Sequence, residues 1–146
     1  MINGFKLTEE YIQFYEGVDN WEDAIIKSAE PLLNGGLVEQ SYIDAMISSV
    51  KEYGPYIVIA PNIAMPHARP ETGSKKAGYS ILKLDRPVSF TEDGENDAQL
   101  FIALSCVDED KHIEMLKEIV GILSDKNKRE KIFTLTTKQE IIEIFK

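Results

Sequence analysis

Read for its apolar and polar positions, the chain divides into segments of different period. Tyr11-Ile12-Gln13-Phe14-Tyr15 is rich in β-forming residues and predicts a short strand. Asn20 then stands as an N-cap before Trp21, Ala24, Ile25, Ala29 and Leu32, a helical spacing that Asn34-Gly35-Gly36 ends. A second helix is predicted over about 39–53, with Tyr42, Ala45, Met46 and Val50 as its stripe and Gly54 just past its end. Pro55 stops it. The uninterrupted run Tyr56-Ile57-Val58-Ile59-Ala60 predicts a strand covered on both faces and broken at Pro61-Asn62. Two more strands are expected at about 78–84 and 100–106, with the acidic loop Asp93-Gly94-Glu95-Asn96-Asp97 between them. From Asp108 onward the period is helical, over about 109–123, 126–134 and 138–146. Strands interleaved with helices, then helices alone, predict an α/β fold: a mixed β-sheet layered with helices.

With 146 residues, no internal repeat and no Pro/Ser-rich linker, 1–146 reads as a single domain able to bury a real core. Twenty-five acidic residues against sixteen basic ones give a formal charge of −9, which argues against nucleic acid and against an anionic membrane surface. One cysteine, Cys106, cannot close an internal disulfide, and no Cys/His spacing marks a zinc site. Met1 to Glu10 lacks a basic stretch followed by an apolar one, and no window approaches the roughly 18 apolar residues of a membrane span. A cytoplasmic, reduced protein is expected.

The two histidines fall at informative places. His67 lies in Pro61-Asn62-Ile63-Ala64-Met65-Pro66-His67-Ala68-Arg69-Pro70-Glu71, directly after the most apolar segment. Three prolines in that stretch restrict φ and lower the entropy lost on ordering it. A stiff loop presenting one imidazole and one guanidinium has the form of a site; the bland alternative is a surface turn. His112 opens the third helix, in line with Leu116, Ile119 and Leu123, so it is either a core histidine or a site residue that the helix N-terminus helps keep neutral. Two imidazoles and an arginine suit phosphoryl transfer. A neutral imidazole is nucleophilic near neutral pH, an arginine can clamp phosphoryl oxygens, and a second histidine can hydrogen-bond the bound group. Arg69 could equally be a surface residue beside Glu71. No GxxxxGK[ST] loop or Gly-x-Ser-x-Gly elbow occurs, and the histidines show no helical metal pairing. Cys106, followed by Val107-Asp108-Glu109-Asp110, is expected to be a buried structural thiol whose acidic surroundings raise its pKa.

The stretch Gly54-Pro55-Tyr56-Ile57-Val58-Ile59-Ala60-Pro61-Asn62-Ile63-Ala64-Met65-Pro66-His67-Ala68-Arg69-Pro70-Glu71 resembles the IIA component of the sugar phosphotransferase system, in its mannitol/fructose-type (EIIA type-2) superfamily. The Pro-His-Ala-Arg-Pro-Glu ending resembles the ascorbate branch most. Asp19-Asn20-Trp21-Glu22-Asp23-Ala24, Tyr42-Ile43-Asp44-Ala45-Met46 and His112-Ile113-Glu114-Met115-Leu116 follow in family order, so the similarity spans nearly the whole chain. The resemblance implies a mixed sheet flanked by helices on both faces. It also implies that His67 takes a phosphoryl group from the phosphohistidine of HPr and passes it to a cysteine of an EIIB component. That component serves sugar transport through a membrane EIIC. His112 would stabilise phospho-His67 by a hydrogen bond, no metal or other cofactor would be needed, and an apolar surface around His67 would be the docking face. The residues themselves do not choose an imidazole nitrogen; the resemblance implies the tele one. Nor do they choose a sugar.

Two departures stand out. Asn62 replaces a usual glycine, and asparagine tolerates left-handed backbone best among the other residues. Ser48-Ser49-Val50-Lys51 lies where relatives often carry an arginine, so Lys51 is either a substitute point charge or a solvated lysine. The same histidine chemistry could instead serve a regulatory EIIA-like protein whose phosphorylation state controls binding to a target. A non-catalytic interaction domain is a further reading, opposed by the presence of both histidines.

Overall fold

The computed structural model describes residues 5–145. After a 3-10 turn at Glu9–Tyr11 the elements run β1 (Ile12–Tyr15), α1 (Trp21–Asn34), α2 (Gln40–Tyr53), β2 (Val58–Ala60) and β3 (Asn62–Ala64). There follow a 3-10 turn at Pro70–Thr72, β4 (Gly78–Ser89), β5 (Asp97–Ser105), α3 (Glu109–Ser124), α4 (Lys126–Ile132) and α5 (Lys138–Ile144). The expected continuation of the last helix to Lys146 and the reading of Met1 to Gly4 lie outside the described residues. Among the described residues no helix is long and apolar enough to cross a membrane.

The five strands form one mixed sheet in the order β1-β4-β5-β3-β2. The β4–β5 and β2–β3 pairs are antiparallel, whereas β1 runs parallel to β4 and β3 parallel to β5. Successive side chains of a strand point to opposite faces, so adjacent residues of β4 identify what covers each side. The Ser80 hydroxyl donates to the carbonyl of Ser28 in α1. Tyr79 packs its ring 6.0 Å from that of Phe145, just after α5. Helices therefore cover both faces, and Leu100 through Ser105 of β5 are buried without interruption.

Local chemistry explains the element ends. Asn20 caps α1 by accepting from the Asp23 amide at 2.8 Å. Asp108 does the same for α3 through the Lys111 amide. Gly54 ends α2 at φ +85°, a conformation that glycine adopts without strain, and its amide reaches the Val50 carbonyl.

The structure corrects the reading of the apolar run 56–60. Only Val58–Ala60 is strand, it lies at the sheet edge, and Ile59 is 47% exposed. The inner strand is β3, whose Ile63 and Ala64 are fully buried against β5. Pro61-Asn62 turns the chain back instead of ending the sheet, and Asn62 makes the turn at φ +67°, the left-handed conformation expected of it. The second helix also sits rotated from its expected stripe: Tyr42, Ile43, Met46 and Val50 are buried, and Ala45 only partly. The same holds in α3, where Met115, Ile119 and Leu123 form the buried face and His112 and Leu116 flank it.

Candidate functional site

The segment after β3 is held to the sheet by its own backbone. The Met65 amide donates to the Ile57 carbonyl at 2.8 Å, and the Leu104 amide in β5 donates to the Pro66 carbonyl at 2.9 Å. Two residues further on, the Ala68 amide donates to the hydroxyl of Tyr42 at 3.3 Å. That hydroxyl in turn donates to the Leu104 carbonyl at 2.7 Å, so a fully buried tyrosine of α2 ties the loop to β5. Burial raises the Tyr42 pKa well above its ordinary value, which keeps the phenol protonated and able to donate.

His67 sits half-buried between these anchors. Its Nδ1 lies 2.8 Å from the Met65 carbonyl. A carbonyl oxygen can only accept, so Nδ1 carries a proton, and the neutral ring then has its lone pair on Nε2. The His112 ring stands 5.3 Å from the His67 ring, centre to centre, and Tyr56 meets His67 edge-on at 5.7 Å. All three line a surface cavity of about 670 Å³ together with Arg69, Cys106 and Tyr53.

His112 enters from the first turn of α3, where the Asp108 cap fixes the direction of the helix. Burial holds its pKa below the ordinary 6.5, the neighbouring His67 pushes the same way, and Glu109 opposes both. The folded ring thus resists a proton that the unfolded chain accepts. Stability is expected to fall as the pH drops below 6.5, and the loss should be complete once pH is below the depressed folded value. Urea-unfolding midpoints measured from about pH 7 down to about pH 5 should decline more steeply in wild type than in His112→Ala.

Cys106 is buried, as expected, with its Sγ 2.8 Å from Nδ1 of His112. Burial alone pushes its thiol up to about 12; the acidic stretch that follows it is not the cause. Arg69 reaches the cavity lining from an exposed position, and no ion pair joins it to Glu71 among the described residues. Lys51 is not brought to the site. Its Nζ lies 3.5 Å from Glu22 of α1, more than half exposed, and Ser49 is the α2 residue nearer the chemistry, in the cavity lining. The structure therefore assembles His67, His112 and Arg69 and leaves Lys51 outside. It adds Tyr42 as the tie behind the histidine loop. The one signal of that role in the sequence is a tyrosine in an apolar helix stripe, whose hydroxyl needs a partner once buried.

An anion arriving here would meet an imidazole lone pair, a second imidazole and a guanidinium, beside a rim of exposed aromatic surface. Residues 6–146 match the family described as the phosphoenolpyruvate-dependent sugar phosphotransferase system, EIIA 2. An ascorbate-specific EIIA component of this transport system from Escherichia coli K12 is 32% identical over 134 residues, covering 91% of this chain and 87% of its own length. The solution structure of the mannitol-specific cryptic phosphotransferase enzyme IIA of Escherichia coli superposes with a TM-score of 0.87 at 32% identity, covering 95% of this chain and 94% of that one. A complex of the Escherichia coli mannitol enzyme IIA with phosphorylated enzyme IIB contains a chain that superposes with a TM-score of 0.84 at 26% identity, covering 96% of each.

Proposed function

Because the chain belongs to the EIIA 2 family of the phosphoenolpyruvate-dependent sugar phosphotransferase system, we propose that it relays a phosphoryl group through His67. The observation that carries this reading is the Nδ1–H bond to the Met65 carbonyl, which leaves the Nε2 lone pair as the nucleophile in an otherwise anchored loop. In the first step Nε2 attacks phosphorus, and the nitrogen–phosphorus bond of the phosphohistidine on HPr breaks, its electron pair staying on the donor imidazole. In the second, the thiolate of an EIIB cysteine attacks, and the bond to His67 breaks in the same sense. Catalysis is then positioning and charge stabilisation, with Arg69 on the phosphoryl oxygens and His112 donating to the bound group.

Both partners are proteins, so the site must be approachable by a surface. Tyr53 and Tyr56 line the cavity at 68% and 46% exposure, and Ile113, next to His112, is 47% exposed. This apolar rim is the docking face we assign to HPr and EIIB in turn, in the cytoplasm; a membrane EIIC is met only through EIIB. The Pro66-to-Glu71 sequence resembles the ascorbate branch most, which supports an ascorbate-like reading. Its sugar is that of the EIIB and EIIC it serves, since selectivity belongs to them.

Incubation with enzyme I, HPr and phosphoenolpyruvate, followed by intact-mass analysis, tests the relay. Gain of one acid-labile phosphoryl group, discharged on adding the cognate EIIB, is expected. No gain removes the carrier reading, and gain without discharge to any EIIB turns it into the regulatory one.

A further inference from the structure

We propose that Cys106 is a positioning residue, whose thiol proton is donated to Nδ1 of His112 and holds that ring as the Nε2–H tautomer facing the phosphoryl group. The two imidazoles of the site are then set in opposite tautomers by opposite partners. For His67 the partner of Nδ1 is a carbonyl, an obligate acceptor, so Nε2 is bare and nucleophilic. For His112 the partner is the only thiol of the chain, at 2.8 Å. A neutral thiol can donate, and a neutral imidazole that accepts at Nδ1 must carry its one proton at Nε2.

The surroundings keep both groups in those forms. Cys106 is 1% exposed directly after β5, and burial opposes its ionisation. Burial and His67 likewise oppose a second proton on His112. A carboxylate or carbonyl in place of the thiol would draw the ring proton to Nδ1. A lone pair would then face the phosphoryl oxygens, and the hydrogen bond assigned to His112 would become a repulsion. The arrangement parallels the outer partners that fix ring tautomers in metal-bound histidines, here with a donor in the partner's place. The inference rests on His67 being the phosphoryl acceptor, but its first test does not.

In the unphosphorylated protein, long-range proton–nitrogen NMR should find the His67 proton on Nδ1 and the His112 proton on Nε2. With one cysteine in the chain, the infrared S–H stretch belongs to Cys106 alone, and it should lie at lower frequency in wild type than in His112→Ala. Cys106→Ala should shorten the lifetime of phospho-His67 roughly two- to tenfold, and Cys106→Ser, which keeps a donor in place, should restore most of it. A His112 proton on Nδ1, an S–H band indifferent to His112→Ala, or equal lifetimes in wild type and Cys106→Ala would overturn the proposal. Failure of wild type to take up phosphoryl at all would overturn the relay and this role with it, whereas the tautomers would still be read from the NMR.

Discussion

His67→Ala is expected to abolish phosphoryl uptake and leave the protein as stable as before, to within about 1 kcal/mol. The two halves of that statement come from different atoms. Uptake needs the Nε2 lone pair, and alanine offers no substitute. Stability depends on the bonds that hold the loop, which are made by neighbours: Leu104 to Pro66, Met65 to Ile57, and Ala68 to Tyr42. The ring contributes one local bond, to the carbonyl of Met65 two residues back. Intact mass after incubation with phosphoenolpyruvate, enzyme I and HPr reads the first half, and the urea midpoint reads the second. A variant that still gains a phosphoryl group would move the acceptor away from His67.

Tyr42→Phe is expected to do the reverse: damage stability first and the relay through it. The substitution keeps the buried ring and removes only the hydroxyl. It strands the Leu104 carbonyl and the Ala68 amide, which that hydroxyl serves. An unsatisfied buried polar group costs about 1–3 kcal/mol. Urea unfolding should show a loss of that order, and the rate of phosphoryl uptake should fall, because the loop is then tied to β5 only on the Pro66 side of His67. Unchanged stability would mean that water or a shifted backbone replaces the hydroxyl. Unchanged uptake in a destabilised protein would mean that the Ala68 tie does not position His67.

How much of this the sequence discloses varies by element. The starts of α1 and α3 are legible because helical spacing begins directly after the capping residues Asn20 and Asp108. β2 and β3 are not. An apolar run carries no mark of whether its neighbours are strands, helices or a docking partner, and residues 56–60 are apolar largely toward the outside, with Tyr56 and Ile59 exposed. Strand β4 runs to Ser89, well past the expected 84, because pairing with β5 overrides the polar Asp85-Arg86-Pro87 stretch at the cost of an irregular register. Within the site, His67 and Arg69 are legible from the proline-stiffened loop that displays them. Lys51 illustrates the opposite case. Its helix and turn follow from the sequence, but two positions along a helix is about 200° of rotation. That difference separates Ser49 in the cavity from Lys51 beside Glu22.

The single tryptophan gives the protein a convenient optical division. Trp21 opens α1 and stacks on Phe90 at 5.6 Å, and it is not among the residues lining the cavity. Its fluorescence follows the docking of α1 against the sheet. On the relay proposed above, a phosphoryl group on His67 would bring charge beside Tyr56, which stands edge-on to that ring. Unfolding would then be read from the tryptophan, and phosphoryl arrival as a change in the tyrosine region, in one unlabelled sample.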